Sequence, residues 1–317
     1  MKKSTKFMLF GGLSFAAAGA LIIVLVSAAC GRDRLERMAE NGDFTVRFGE
    51  NTLHVLDGAE NIAEFGSPDG PITFFSMGRL GGSDYSVEHV RIASKDNVKN
   101  LSLKFGAGEF AVEESEDDNI YVTIHGSHAF RYGVDESHTL YVEPEKGLGS
   151  RVNGSECVLY LPREIEFEKV TLEVGAGELT MPYMTADTLE LSLGAGEIEI
   201  ASLQARETVI SVGTGEIDIQ NGQIDVLNMT VAAGQMDYQG SIGESCVATF
   251  SMGELNMQLD GEEEDFDYDL DCSAGEMQIG SMSSSGVSFH REIDEGRDKK
   301  ITVSCSMGDV NVMFDGN

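Results

Sequence analysis

The chain holds 317 residues, with 22 Lys and Arg against 54 Asp and Glu, a formal charge of −32 at neutral pH. A body this acidic is repelled by nucleic-acid phosphate and by anionic headgroups, so no nucleic acid is expected as a partner. Its 41% hydrophobic content is nevertheless too high for a disordered acidic tail, and 37 glycines beside 5 prolines place the glycines inside regular structure.

The first element runs from Phe7 to Gly31 without a charge. As a helix rising ~1.5 Å per residue it crosses a hydrocarbon core of ~30 Å. Lys2, Lys3 and Lys6 precede it, which keeps the start in the cytoplasm and exports the rest. Ser27-Ala28-Ala29-Cys30-Gly31 also carries small residues before a cysteine, as a lipoprotein signal does. A retained single-pass anchor, a lipid at Cys30 and cleavage after Ala29 therefore compete. Each puts the body outside the cytoplasm, and the retained anchor makes the membrane a partner through the N-terminal helix. Residues 1–31 are read as anchor or signal segment. Residues 32–43 are read as a juxtamembrane linker helix stopped at Gly42, and 44–317 as the extracytoplasmic body.

Within the body a short motif recurs: Gly175-Ala-Gly-Glu178, Gly194-Ala-Gly-Glu197, Gly213-Thr-Gly-Glu216, Ala233-Gly234-Gln235 and Ser251-Met-Gly-Glu254. The second glycines, Gly177, Gly196, Gly215, Gly234 and Gly253, are 19 residues apart throughout. Gly108 precedes the series, Gly275 and Gly308 follow it, and Ser76-Met-Gly78 reads as a degenerate first copy. Aligned on that glycine, Val170, Leu172 and Val174 share columns with Leu189, Leu191 and Leu193, and with Thr208, Ile210 and Val212. After the glycine, Leu179 and Met181 align with Ile198 and Ile200, and with Ile217 and Ile219. Apolar spacing of two on both sides of a glycine turn marks half-buried strands and excludes a helical repeat. A propeller of four-stranded blades would not repeat at half a blade. The expectation is an all-β parallel β-solenoid, or β-helix, of about eight coils. Each coil has two strands and a returning arc, and buries its apolar face only against its neighbours. The region 44–98 is expected to cover the N-terminal end of the stack and 119–155 to form a strand-rich insertion or wider coils. Insertions into loops are expected to account for the longer steps to Gly275 and Gly308. The last strand, Val310–Phe314, is expected as an open sheet edge that invites self-association.

The segment Val158-Leu-Tyr-Leu-Pro162, then Phe167-Glu-Lys-Val170 leading into Val174-Gly-Ala-Gly-Glu178-Leu179 and the serial units after it, resembles the bacterial adhesin-like family DUF4097. The resemblance implies an exported or membrane-attached β-strand repeat protein of the cell envelope. It carries over no site residue.

Glu178, Glu197, Glu216 and Glu254 share one column, interrupted by Gln235. Stacked like charges repel unless solvent or a cation relieves them, and Ca²⁺ takes several carboxylate oxygens. The column is therefore read as solvated, with Ca²⁺ as the alternative. The acidic run Glu262–Asp271 places Tyr268, Leu270 and Cys272 inward and Asp267, Asp269 and Asp271 on a solvated face. Cys246, Cys272 and Cys305 fall at inward offsets, and Cys272 and Cys305 share one, which leaves a disulfide open beside simple packing. His125-Gly-Ser-His128 lacks the glutamate of a zinc-protease helix, and no nucleophile elbow or phosphate loop is present. The functional expectation is a non-enzymatic, membrane-tethered envelope scaffold or binding module, contacting an envelope protein or a polysaccharide. The alternatives are a polysaccharide-acting β-helix enzyme and a calcium-stiffened accessory of envelope stress or signalling.

Overall fold

A computed structural model describes residues 44–48, 51–55, 62–66, 72–76, 85–126, 130–144 and 155–316. The expected anchor, Cys30, the linker helix, Gly78 and His128 lie outside the described residues. Among those described, no helix is long and apolar enough to cross a membrane.

The period-two pattern becomes strand almost throughout. The strands are β1 (Phe44–Phe48), β2 (Asn51–Val55), β3 (Ile62–Gly66), β4 (Ile72–Ser76), β5 (Tyr85–Ser94) and β6 (Asn100–Glu114). Then come β7 (Asn119–Gly126), β8 (Phe130–Val134), β9 (Thr139–Pro144), β10 (Ser155–Leu161), β11 (Phe167–Met181) and β12 (Met184–Ile200). The series closes with β13 (Leu203–Val212), β14 (Glu216–Leu259), β15 (Phe266–Ile279), β16 (Met282–Ile293) and β17 (Lys299–Phe314). The helical pieces among the described residues are two short 3-10 turns, Lys95–Asn97 and Glu263–Asp265.

The repeat period is the pairing register. Strands β6, β11, β12, β13 and β14 pair in parallel, so Leu101, Val170, Leu189, Thr208 and Leu227 stack in one column. The central three steps are 19 residues each, one rung of the stack. Leu189, Leu191, Leu193, Ile198 and Ile200 are at most 2% exposed, while the residues between them face out. Each such side chain gains about 1.5–3 kcal/mol on burial, and a rung gains it only when covered above and below. The segment expected as a returning arc is itself paired: Met184 and Ala186 lie on Leu203 and Ala205, which lie on Gly222 and Ile224.

At the corner, rungs approach until only glycine fits. A Cβ on Gly196, whose φ is +118°, would collide with the Gly177 carbonyl, and one on Gly253 with that of Gly234. The corner glycines therefore answer to the neighbouring backbone, as the sequence implied.

Two features of the ends depart from expectation. At the C-terminal end the order in space is not the order in the chain. Strand β17 pairs in parallel with the last rung of β14, Gly308 on Gly253, and with β15 on its other side, Gly275 on Gly308. The chain thus leaves one rung position vacant, makes the antiparallel β15–β16 hairpin beyond it, and returns to fill the place. The uneven spacing of the last glycines reflects this insertion rather than enlarged loops. The expected edge at Val310–Phe314 is corrected: β17 is paired on both sides, and β16 is the outer strand here. At the other end β6 carries β9 along Asn100–Leu103 and β10 along Gly108–Glu114. Antiparallel partners extend both, β10 to β7 and β5, and β9 to β8 and β4. The 119–155 insertion is thus strand-rich, and strands from 44–98 do lie at this end.

Candidate functional site

Because the corner repeats in register, so does the residue after it. Glu156, Glu109, Glu178, Glu197 and Glu216 are consecutive register partners. Beyond Gln235 the line continues through Glu254, Asp309 and Glu276. One column thus carries acids from nearly every rung, about 4.8 Å apart. A second column two residues on adds Glu199, Asp218 and Asp237. Glu197 is held above its ordinary carboxyl range, first by partial loss of water and then by Glu199, Glu216 and Glu178.

Amides interrupt the repulsion where the acids give way. The Gln235 side chain donates to Asp237 at 2.7 Å. Asn256 donates to Asp237 and to Glu254, both at 2.9 Å. Lysines sit elsewhere: Lys104 bonds Glu173 and Lys169 bonds Glu190, each across one rung step at 2.6 Å. Among the described ion pairs none reaches the corner column. A shallow groove of about 570 Å³ follows the corner between Glu216, Gln235, Glu254 and Asp309. The four glutamates proposed as ligands, Glu178, Glu197, Glu216 and Glu254, are therefore aligned along a line rather than gathered around a point. Among the described residues no group of three or more His, Cys, Asp or Glu could hold a metal ion.

A second groove, of about 580 Å³, runs along the third side of the rungs. Its floor is the backbone of the column Phe167, Ala186, Ala205 and Ile224, whose side chains turn inward. Thr185, Gln204 and Gln223 line one flank, and Asp187, Arg206 and Asp225 the other. Alternation predicts these residues as exposed, but that they line one groove follows from the pairing of adjacent rungs, which a single rung does not reveal.

The acidic run near 262–271 divides. Tyr268, Leu270 and Cys272 are buried as expected. Asp267 is not on a solvated face; it is 7% exposed and accepts the backbone N–H groups of Glu295 and Arg297 at 2.9 and 3.0 Å. Those bonds, Glu295 first, hold its carboxyl below the ordinary range and fasten the loop that leads into β17.

Among the described residues the histidines do not converge. His125 Nδ1 lies 3.0 Å from Ser86 Oγ on the surface of the β5–β7 pair. His89, at φ 45° in a bulge between Val87 and Val90, stacks on Tyr121 at 4.4 Å and meets Tyr160 edge-on at 4.9 Å. Sequence reading missed this cluster, since its members come from three strands whose pairing is antiparallel and outside the repeat.

Solved structures with a similar chain course come from bacteria. A candidate lipid-binding protein of Parabacteroides distasonis is 17% identical, with 72% of this chain and 97% of that one covered and a TM-score of 0.42. A candidate cell adhesion protein of Clostridium sporogenes is 13% identical, over 73% and 99%, with a TM-score of 0.31. A candidate adhesin of Bacteroides fragilis is 12% identical, over 72% and 96%, with a TM-score of 0.37. No curated protein matches the chain. The repeated corners and columns described above fall within residues 69–313, which match the family model for Toastrack DUF4097, and the chain belongs to that family.

Proposed function

We propose that this protein is a membrane-tethered, extracytoplasmic β-solenoid that works without catalysis, as an adhesin-like scaffold or binding module of the cell envelope. The observation that carries the reading is repetition. Its outward chemistry consists of columns that continue from rung to rung, an acid line at the corner and a polar groove on the third side. Surfaces of this kind suit an extended partner, a polymer or a protein face, because each rung offers a similar contact at a fixed step. Catalysis favours the opposite, a local break in which unlike groups converge on one reacting atom. The charged N-terminal flank and apolar segment support the address.

The test is capture from the native envelope with the full-length chain in detergent as bait. A polysaccharide or envelope protein retained by the wild type, and lost from a variant with Arg206→Ala and Gln204→Ala, supports the reading. New reducing ends appearing in a captured polysaccharide would replace it with an enzyme. The calcium-stiffened alternative rests on the unpaired corner acids. Thermal unfolding with and without Ca²⁺ decides it, since a cation bound to the fold raises the melting temperature with concentration.

A further inference from the structure

The insertion of β17 brings two cysteines face to face. Cys272 of β15 and Cys305 of β17 are direct register partners, and both are 3% exposed. The other described cysteines have no such neighbour: Cys157 faces Phe110 and Ile124, and Cys246 faces Ile301. We infer that Cys272 and Cys305 are a disulfide-forming pair, a covalent clasp between the outlying hairpin and the strand that returns beneath it.

The geometry suits the bond. Adjacent parallel strands hold paired Cα atoms about 4.8 Å apart, inside the roughly 4.4–6.8 Å span that disulfides occupy. The Cβ atoms must close to about 3.8 Å, a shift on the order of 1 Å. The end of the stack can give it, because among the described residues only the antiparallel β16 lies beyond β15. Both side chains point into the core from that register; the Cys305 thiol donates to the Gly308 carbonyl at 3.7 Å and is pushed up to about 12 first by burial and then by the neighbouring Cys272. So protonated a thiol reacts slowly once enclosed, and the bond is made as β17 seats, before burial is complete.

The chemistry is thiol–disulfide exchange with a small-molecule or protein disulfide as oxidant. One cysteine thiolate attacks a sulfur of that disulfide, and the first thiolate leaves. The second cysteine, losing its proton, attacks the mixed disulfide and expels the other. Two cysteine thiols are oxidised and one oxidant disulfide is reduced to two thiols. An oxidising compartment in the cell follows from the proposed extracytoplasmic address, and on that point alone the inference rests on the earlier reading. Its consequence is mechanical. The loop closed by the bond contains all of β16, so the outer hairpin cannot peel away without opening the rung that β17 completes.

The experiment is refolding of the full-length chain in detergent from urea, with oxidised and reduced glutathione, followed by alkylation and peptide mapping. The expected result is a linked Cys272–Cys305 peptide and a mass lower by two hydrogens, with Cys157 and Cys246 still alkylated after denaturation. The oxidised form should melt several degrees above the reduced form, a difference absent in Cys305→Ala. Because mapping of the wild type needs no variant, a misfolding substitution does not obscure the outcome. Free thiols at both positions after oxidative refolding, or linkage to a different cysteine, overturns the pair. A bond formed in the tube but absent on thiol trapping in cells upholds the pair and overturns the extracytoplasmic address instead.

Discussion

Excising residues 197–215 tests the rung as a unit. The cut joins Gly196 to Glu216, which follows the equivalent corner one rung on, so every column closes over the gap. Leu179 and Met181 then meet Ile217 and Ile219 in place of Ile198 and Ile200. Leu189, Leu191 and Leu193 meet Leu227, Met229 and Val231 in place of Thr208, Ile210 and Val212. These inward contacts are all apolar, the corner column keeps its acid-on-acid step with Glu178 against Glu216, and the unsatisfied Thr208 hydroxyl leaves with the rung. At about 0.05–0.15 kcal/mol of net stability per residue, one rung of 19 residues accounts for roughly 1–3 kcal/mol. The shortened full-length chain in detergent should therefore keep a β-type circular dichroism spectrum and one cooperative urea transition. Its m value should be smaller in proportion to the surface removed. Excising half a rung, 197–206, is the control, because no column can then be kept and stability should be lost. An unfolded full-rung variant, or a half-rung variant equally stable, refutes stacking as the source of the core.

Gly196→Ala should cost about 2–4 kcal/mol in urea unfolding, since φ is +118° and the Gly177 carbonyl blocks the new Cβ. Ala195→Met, in the column where Met252 and Met307 already stand, should change stability by no more than about 0.5 kcal/mol. Thr208→Val should raise stability by about 1–2 kcal/mol, because the hydroxyl is fully buried without a hydrogen-bond partner and valine has its shape. An unchanged or lower melting temperature counts against that account of the column. Glu197→Gln should raise the urea midpoint at pH 7, by giving this rung the kind of amide that Gln235 places in the same column. The folded carboxyl titrates above its ordinary 4.5, so ionisation opposes folding at neutral pH, and the gain should fade as pH falls below about that value and as salt is added. Asp267→Asn should lower the midpoint. The folded carboxyl titrates below its ordinary 3.8, so its contribution is present above that value and lost as pH falls through the depressed one, where variant and wild type should converge.

Strand periodicity, the rung length, the inward columns and the corner glycines were all legible in the chain, because each is a local or strictly repeated property. A side chain that alternates with its neighbours has its face fixed by the pleat, and a glycine repeated at every corner reports a contact repeated at every rung. Membership in the family was legible for the same reason. What lies between rungs out of sequence was not. Nothing local marks β17 as the strand that slips between β14 and β15, since the same inward offsets fit any rung position. The identity of the outer strand, the burial of Asp267 beneath the loop before β17, and the meeting of Cys272 with Cys305 all follow from that one insertion. Offsets in a repeat specify which way a residue points, whereas the order of rungs is chosen by which ends pack best, a comparison that only the folded stack makes.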